Sequence, residues 1–272
     1  MTAFVHHLAA FAVLVTGVAC SGCLSSAQFT RVVPAGPVVQ AQNTFDHSAY
    51  DRVLKAYVDR NGLVDYAGLL NDRAGLDGYL ERLAATDPSN LGRSEQLAFW
   101  INAYNAYAIK LVLDNYPTES ILDVTGGPFV PKVNSPFQVK FANVGGEDRT
   151  LDEIEHGIIR PQFNDPRIHF VVICAAISCP PLRAEAFTGA KLDQQLDEQG
   201  RIFLADESKN RFDGETATFS KIFDWYKGDF GGSDDSLQRY LAAFAPESAR
   251  DGLEGAVYDV RFGDYDWSLN EQ

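Results

Sequence analysis

From Ile168 to Cys174 the chain reads Ile-His-Phe-Val-Val-Ile-Cys, apolar at every position except His169. No polar side alternates with an apolar one, so both sides of this segment must be covered by other structure. Its shortness and its β-branched residues predict a strand rather than a helix. A strand buried on both faces needs a layer of structure above it and another below. The run therefore predicts a mixed α+β domain of the α/β class: one mixed sheet, with a buried central strand at about 168–174 covered by several helices.

The flanking sequence offers those helices. Tyr50, Val53, Leu54 and Tyr57 recur at helical spacing over 48–58, and Asn61-Gly62 ends the pattern. After a short extended piece, Leu63–Tyr66, a second helix is expected over 67–85, stopped by Asp87-Pro88. Ser94 can cap a long helix to about Tyr116, closed by Pro117. Gly126 to Pro136 reads as an irregular loop. Phe137–Phe141 alternates as a half-buried strand, turned by Val144-Gly145-Gly146-Glu147. Thr150 and Glu153 make a capping box for a helix expected to stop at Arg160, before Pro161. Beyond lie a helix at about 189–206, a hairpin over Arg211–Phe219 around Gly214, helices capped by Ser220 and Ser233, and a last strand, Ala256–Phe262. Neither an internal repeat nor a low-complexity linker interrupts 45–272, which is read as one globular domain. Helices and strands alternate irregularly, favouring a mixed sheet over a doubly wound parallel one.

Residues 1–27 contain no Lys, Arg, Asp or Glu, and Leu8 to Ala19 is an apolar run of signal-peptide length, too short to span a membrane. Ser25-Ser26-Ala27 offers one cleavage site, releasing Gln28. Val-Ala-Cys-Ser-Gly-Cys offers another, of lipoprotein type, with Cys20 or Cys23 as the lipidated residue. Residues 28–44 read as a tether. The expected location is the bacterial envelope, periplasmic or held to the membrane by that lipid anchor alone. Lys and Arg total 23 against 37 Asp and Glu, a net charge of -14, which argues against nucleic acid as a partner.

FWINAYN at 99–105, LDEIEHGIIR at 151–160, DPRIHFVVICAAISCPPL at 165–182, SKIFDWYKGDF at 220–230 and YDWSLN at 265–270 resemble, in this order, the domain-of-unknown-function family 547. VLKAYVDRNGLVDYAGL at 53–69 resembles the region preceding that domain. The resemblance implies an exported bacterial protein. It implies no activity and no catalytic residue.

The residues themselves suggest a chemistry. Cys179 lies in the loop past the expected strand, where sheets with parallel strands place their ligands. Pro180–Ala186 reads as a short helix with Cys179 at its N-terminus, a position that favours thiolate, although Pro180 and Pro181 supply no N–H. Beyond the signal region the histidines are His47, His156 and His169. His47, near the domain start, is a weak candidate. Asp152, His156 and Arg160 fall at i, i+4 and i+8 on one expected helix face. Cys179 as nucleophile, His156 as base and Asp152 as its orienter would form an activated thiol, with Arg160 as a clamp for a substrate carboxylate. Asn102 and Asn105, at i and i+3 of an apolar helix, either hold substrate or an oxyanion or cap a neighbouring loop. His169 is either a satisfied core histidine or a site residue. Trp225-Tyr226 and Tyr265-Asp266-Trp267 offer either core or a stacking surface.

Cys174 and Cys179, the cysteines left after the signal region, also fit a disulfide, as export favours. A metal site built on them and a histidine lacks an evident fourth ligand, so neither metal nor cofactor is expected. Dinucleotide, P-loop, GxSxG and HExxH motifs are all absent. Two functions remain. One is a cysteine-dependent hydrolase or transferase acting on amide or ester bonds. The other is a non-catalytic envelope binding or assembly module, stapled by Cys174–Cys179, whose partner is a small molecule or an envelope protein.

Overall fold

The computed structural model of the chain describes residues 43–124 and 135–272. The signal region, Cys20 and Cys23, nearly all of the tether and most of the 126–136 loop lie outside them. No helix among the described residues is long and apolar enough to cross a membrane.

Helices α1 (Ser48–Tyr57), α2 (Tyr66–Asn71) and α3 (Ala74–Ala84) form the N-terminal layer. The single helix expected over 67–85 is therefore two. Asp72 leaves helical angles at φ -134°, ψ 46°, and its carboxylate accepts a hydrogen bond from the Tyr57 hydroxyl at 2.8 Å. Helix α4 (Arg93–Leu113) is the spine of the molecule, roughly 30 Å long at 1.5 Å per residue. It starts just before Ser94, with Gly92 as its cap. Phe99, Ile101, Ala103, Ala106, Ala108 and Val112 are all fully buried, so α4 is covered on every side rather than along one stripe.

A hairpin follows, β1 (Ala142–Val144) with β2 (Glu147–Arg149). The glycines between them, Gly145 and Gly146, both take positive φ (66° and 80°), as the tight turn matched to strand twist requires. The strand expected at 137–141 starts later, because Pro136 opens a 3-10 turn over Pro136–Gln138 that Ser135 caps. The capping box is complete: Thr150 N donates to Glu153 at 2.8 Å, and Glu153 N donates to Thr150 Oγ1 at 2.9 Å. The helix it opens does not stop at Arg160. Glu153–Ile159 is a π-helix, and α5 (Arg160–Phe163) continues it with Pro161 in its first turn, where a missing N–H costs least.

Residues 168–174 are buried almost as expected, yet they are not a strand. Asp165 caps a 3-10 turn over Pro166–Phe170, and the chain then runs without regular structure to Ala175, whose φ is +56°. A buried backbone outside helix or sheet still needs partners. Here one side chain of α4 supplies them: Asn105 Nδ2 donates to Val171 O at 2.8 Å, and Ile173 N donates to Asn105 Oδ1 at 3.0 Å. The expected central strand is thus replaced by a buried loop clamped by an amide.

Helix α6 (Leu192–Leu204) packs on the 3-10 turn, and Phe170 meets Phe203, Phe223 and Phe244 at ring centroid distances of 5.1–6.3 Å. The hairpin β3 (Arg211–Asp213) and β4 (Thr216–Phe219) forms as expected. Helices α7 (Ile222–Trp225), α8 (Asp234–Leu241) and α9 (Glu247–Glu254) then carry the chain to β5 (Asp259–Phe262), which pairs parallel with β4. Sheet β3-β4-β5 is mixed and the class is the expected mixed one, but residues 168–174 are not part of this sheet. The C-terminal segment straps the halves together. Ile177 N donates to Ser268 O at 2.8 Å, Asn270 N to Ala175 O at 3.2 Å, and Val64 N to Asn270 O at 2.9 Å.

Candidate functional site

The loop after Ile173 turns back on itself, with Ala176 bridged to Leu269 of the C-terminal strap. Gly62 (φ +79°) lies against Pro181 and Leu182, where a Cβ would collide with their backbone. No helix follows Cys179: residues 180–188 are irregular, and Pro181 pushes the residue before it, Pro180, toward extended rather than helical angles. The helix N-terminus expected to activate Cys179 is not there. Cys174 and Cys179 are instead joined as a disulfide, with Cα atoms 6.2 Å apart, inside the ordinary span for such a bond.

That disulfide borders a cavity of about 280 Å³. The cavity gathers Asp152, His156, His169, Cys174 and Cys179 along with six aromatic side chains. Three of these form one cluster: Tyr265 lies 4.8 Å from Trp225 and 4.6 Å from Trp267, centroid to centroid, and the two indoles stack 5.9 Å apart at 27°. The Tyr265 hydroxyl lies 2.9 Å from Cys174 Sγ and 3.2 Å from Cys179 Sγ. Tyr104, Tyr226 and Phe137 complete the aromatic wall.

The polar groups pair otherwise than the spacing suggested. Among the described residues no hydrogen bond joins Asp152 to His156. Instead Arg160 Nη1 lies 3.1 Å from His156 Nδ1. A guanidinium only donates, so that nitrogen accepts and is taken. Arg160 is itself held in a two-pronged pair with Asp229, both contacts 2.8 Å, with its guanidinium over the Tyr226 ring. It is not a free clamp. His169 is the imidazole with an orienting carboxylate: its Nε2 lies 2.7 Å from Asp229 Oδ2, and its ring stacks on Tyr226 at 4.0 Å. The His169 and Arg160 hydrogen bonds hold the Asp229 carboxyl well below the usual range. Asp229 was not singled out in the sequence. The signal available was SKIFDWYKGDF, the quoted motif that contains it.

Glu155 was also overlooked. Its side chain is 9% exposed, and its nearest basic group is His156 Nδ1 at 3.8 Å. Burial, then the Glu155 charge, raise the hydroxyls of Tyr104, Tyr226 and Tyr265 above the ordinary tyrosine range.

Asn102 and Asn105 are buried and do not line the cavity. Asn105 clamps the cysteine loop. Asn102 Nδ2 donates to Phe187 O at 2.7 Å and Oδ1 accepts from Phe187 N at 3.0 Å. Asn102 Nδ2 also contacts His47 Nδ1 at 3.1 Å, while His47 Nε2 meets the buried Glu95 at 3.1 Å. His47 thus belongs to a buried network away from the cavity. Among the described residues no cluster of three His, Cys, Asp or Glu side chains is placed to hold a metal ion.

Residues 88–204 match the family model described as protein of unknown function, DUF547. The chain carries a DUF547 domain. No match was found among curated proteins or among solved structures. The DUF547 match includes α4, the π-helix, the cysteine loop and α6. It ends before Trp225, Asp229, Tyr265 and Trp267, so the cavity joins side chains of the DUF547 segment to others beyond it.

Proposed function

We propose that this domain is a non-catalytic binding module of the bacterial envelope, with the aromatic cavity as its ligand site. The observation that carries this is the Cys174–Cys179 disulfide at the cavity wall. It occupies both sulfurs, removes the expected nucleophile and suits an exported protein in an oxidising compartment. Export itself, through the signal region and a lipid anchor at Cys20 or Cys23, belongs to the same proposal.

Alkylation and mass spectrometry of the purified protein, with and without reductant, test it. The expected result is a bridged pair that alkylates only after reduction. Reduction lowers stability by about 2 kcal/mol, the loop-closure entropy of so short a ring. A Cys179 that alkylates without reductant, fast well below pH ~8.5, overturns the reading.

One observation favours a second reading. The cysteines share their cavity with His169, which Asp229 orients. A reduced protein would then be a thiol hydrolase or transferase, as the sequence suggests, with His169 rather than His156 as the base held in place by a carboxylate. Hydrolysis of simple aryl esters or thioesters by the reduced protein, lost in Cys179→Ser, would establish it.

A further inference from the structure

The cavity wall carries two carboxylates, Asp152 and Glu155. Glu155 is nine-tenths buried, the hydroxyls of Tyr104 and Tyr226 stand within hydrogen-bond reach of its carboxylate, and among the described residues its basic neighbour is His156 Nδ1 at 3.8 Å. Neutral hydroxyls do not neutralise a carboxylate withdrawn from water, so a counter-charge beside it is favoured. Arg160, the guanidinium close enough to influence this region, is spent on Asp229. Among the described residues neither Lys nor Arg lines the cavity, and Asp152 adds a second carboxylate.

Much of the remaining lining is aromatic. Trp225 is 47% exposed at the surface although it stacks with Trp267 and Tyr265. Aromatic faces carry partial negative charge and attract cations, indole most strongly. We infer that the cavity takes a small organic cation, an ammonium or quaternary ammonium group, seated on Trp225, Tyr265 and Trp267 with Glu155 as counter-charge. This inference rests on the binding-module reading and names its ligand class.

Other ligand classes fit less well. An anion would meet Asp152 and Glu155. A sugar could stack on the aromatic rings and donate hydroxyls to Asp152 and Glu155, but it would leave both carboxylates without a counter-charge. The net charge of -14 also draws cations toward the protein.

Titration of the intact, oxidised protein with choline tests the inference, followed by calorimetry and tryptophan fluorescence. The reference is 3,3-dimethylbutan-1-ol, the same shape without the charge. Choline is expected to quench tryptophan fluorescence and to bind at least about tenfold more tightly than the alcohol. Glu155→Gln is expected to erase most of that preference. Trp225→Ala, a change at an exposed side chain, is expected to weaken choline about tenfold with little change in melting temperature.

Equal binding of choline and the alcohol overturns the cation and leaves an apolar binding module. Binding of maltose without binding of choline overturns it in favour of a glycan site, and the module again stands. Absence of any choline signal up to roughly 10 mM, well above the range useful for a binding protein, overturns the inference outright. If no probe binds and Cys179 alkylates without reductant, the module reading falls as well.

Discussion

Replacing Asn105 by leucine tests the clamp that shapes the site. Asn105 is 1% exposed. Leucine has the same branched shape and number of heavy atoms, so no cavity opens and the change chiefly removes two hydrogen bonds. The first runs from Asn105 Nδ2 to Val171 O at 2.8 Å, the second from Ile173 N to Asn105 Oδ1 at 3.0 Å. Neither backbone group belongs to a helix or sheet that offers a substitute. Each is left buried and unpaired at about 1–3 kcal/mol, so the pair amounts to about 2–6 kcal/mol. A whole domain is stable by only about 5–15 kcal/mol. For a domain of this size the melting temperature should fall by roughly 5–20 °C. Urea titration of both proteins at one pH, read by tryptophan fluorescence, gives the free-energy difference directly. A loss under about 1 kcal/mol would refute the clamp, because the loop would then hold itself. A variant with unchanged stability but lost ligand binding would return Asn105 to the substrate-contacting role that its sequence context allowed.

Two other outcomes follow from the same structure. The melting temperature should fall on acidification, because Asp229, Glu185 and His47 all bind protons more weakly folded than unfolded. For Asp229 the cause is hydrogen bonding to His169 and Arg160. For Glu185, burial pushes its carboxyl up, but hydrogen bonds from Lys191, Arg183 and Gln195 outweigh this and hold it at about 2. For His47, burial outweighs the pull of Glu95. Stability from such groups is complete above their ordinary values and is lost as pH falls. The decline should begin below 6.5, the ordinary value for His47, and steepen below 4.5, that of Glu185. Glu185→Gln should flatten the steep part, and a melting temperature that rises from neutral pH toward pH ~4 would contradict the assignment. Asn270→Ala should cost about 1–3 kcal/mol in the same urea titration, because it strands the fully buried Tyr66 hydroxyl that now donates to Asn270 Oδ1 at 2.8 Å. An unchanged midpoint would mean that the C-terminal strap is not anchored there.

Local chemistry was legible in advance. Thr150 and Glu153 cap one another because their backbone and side-chain groups lie within a single turn. Gly145-Gly146 and Gly214 marked both hairpins, since positive φ is a property of the residue itself. The length of α4 was legible too, but its spacing marked only one apolar stripe, Leu97, Ile101, Tyr104, Ala108 and Leu111, and not burial on every side. The reading of 168–174 was correct in burial and incorrect in conformation. Both a strand and a loop can be apolar, and the choice turned on who pairs the backbone: Asn105, 66 residues before Val171. The i, i+4 and i+8 spacing of Asp152, His156 and Arg160 assumed an α-helix, whereas the segment is a π-helix whose hydrogen bonds span five residues. Asp229 then claimed both Arg160 and His169 from a separate stretch of chain.

By itself, the sequence determined caps, turns, the burial pattern and the family, because each of these depends on groups a few residues apart or on order along the chain. Tertiary structure alone decided that Cys174 meets Cys179, that His169 rather than His156 has an orienting carboxylate, and that Trp225, Tyr265 and Trp267 share one cavity with Glu155. Hydrogen bonds, charges and ring contacts act over a few ångströms in space, and only packing brings together groups separated by dozens of residues of chain.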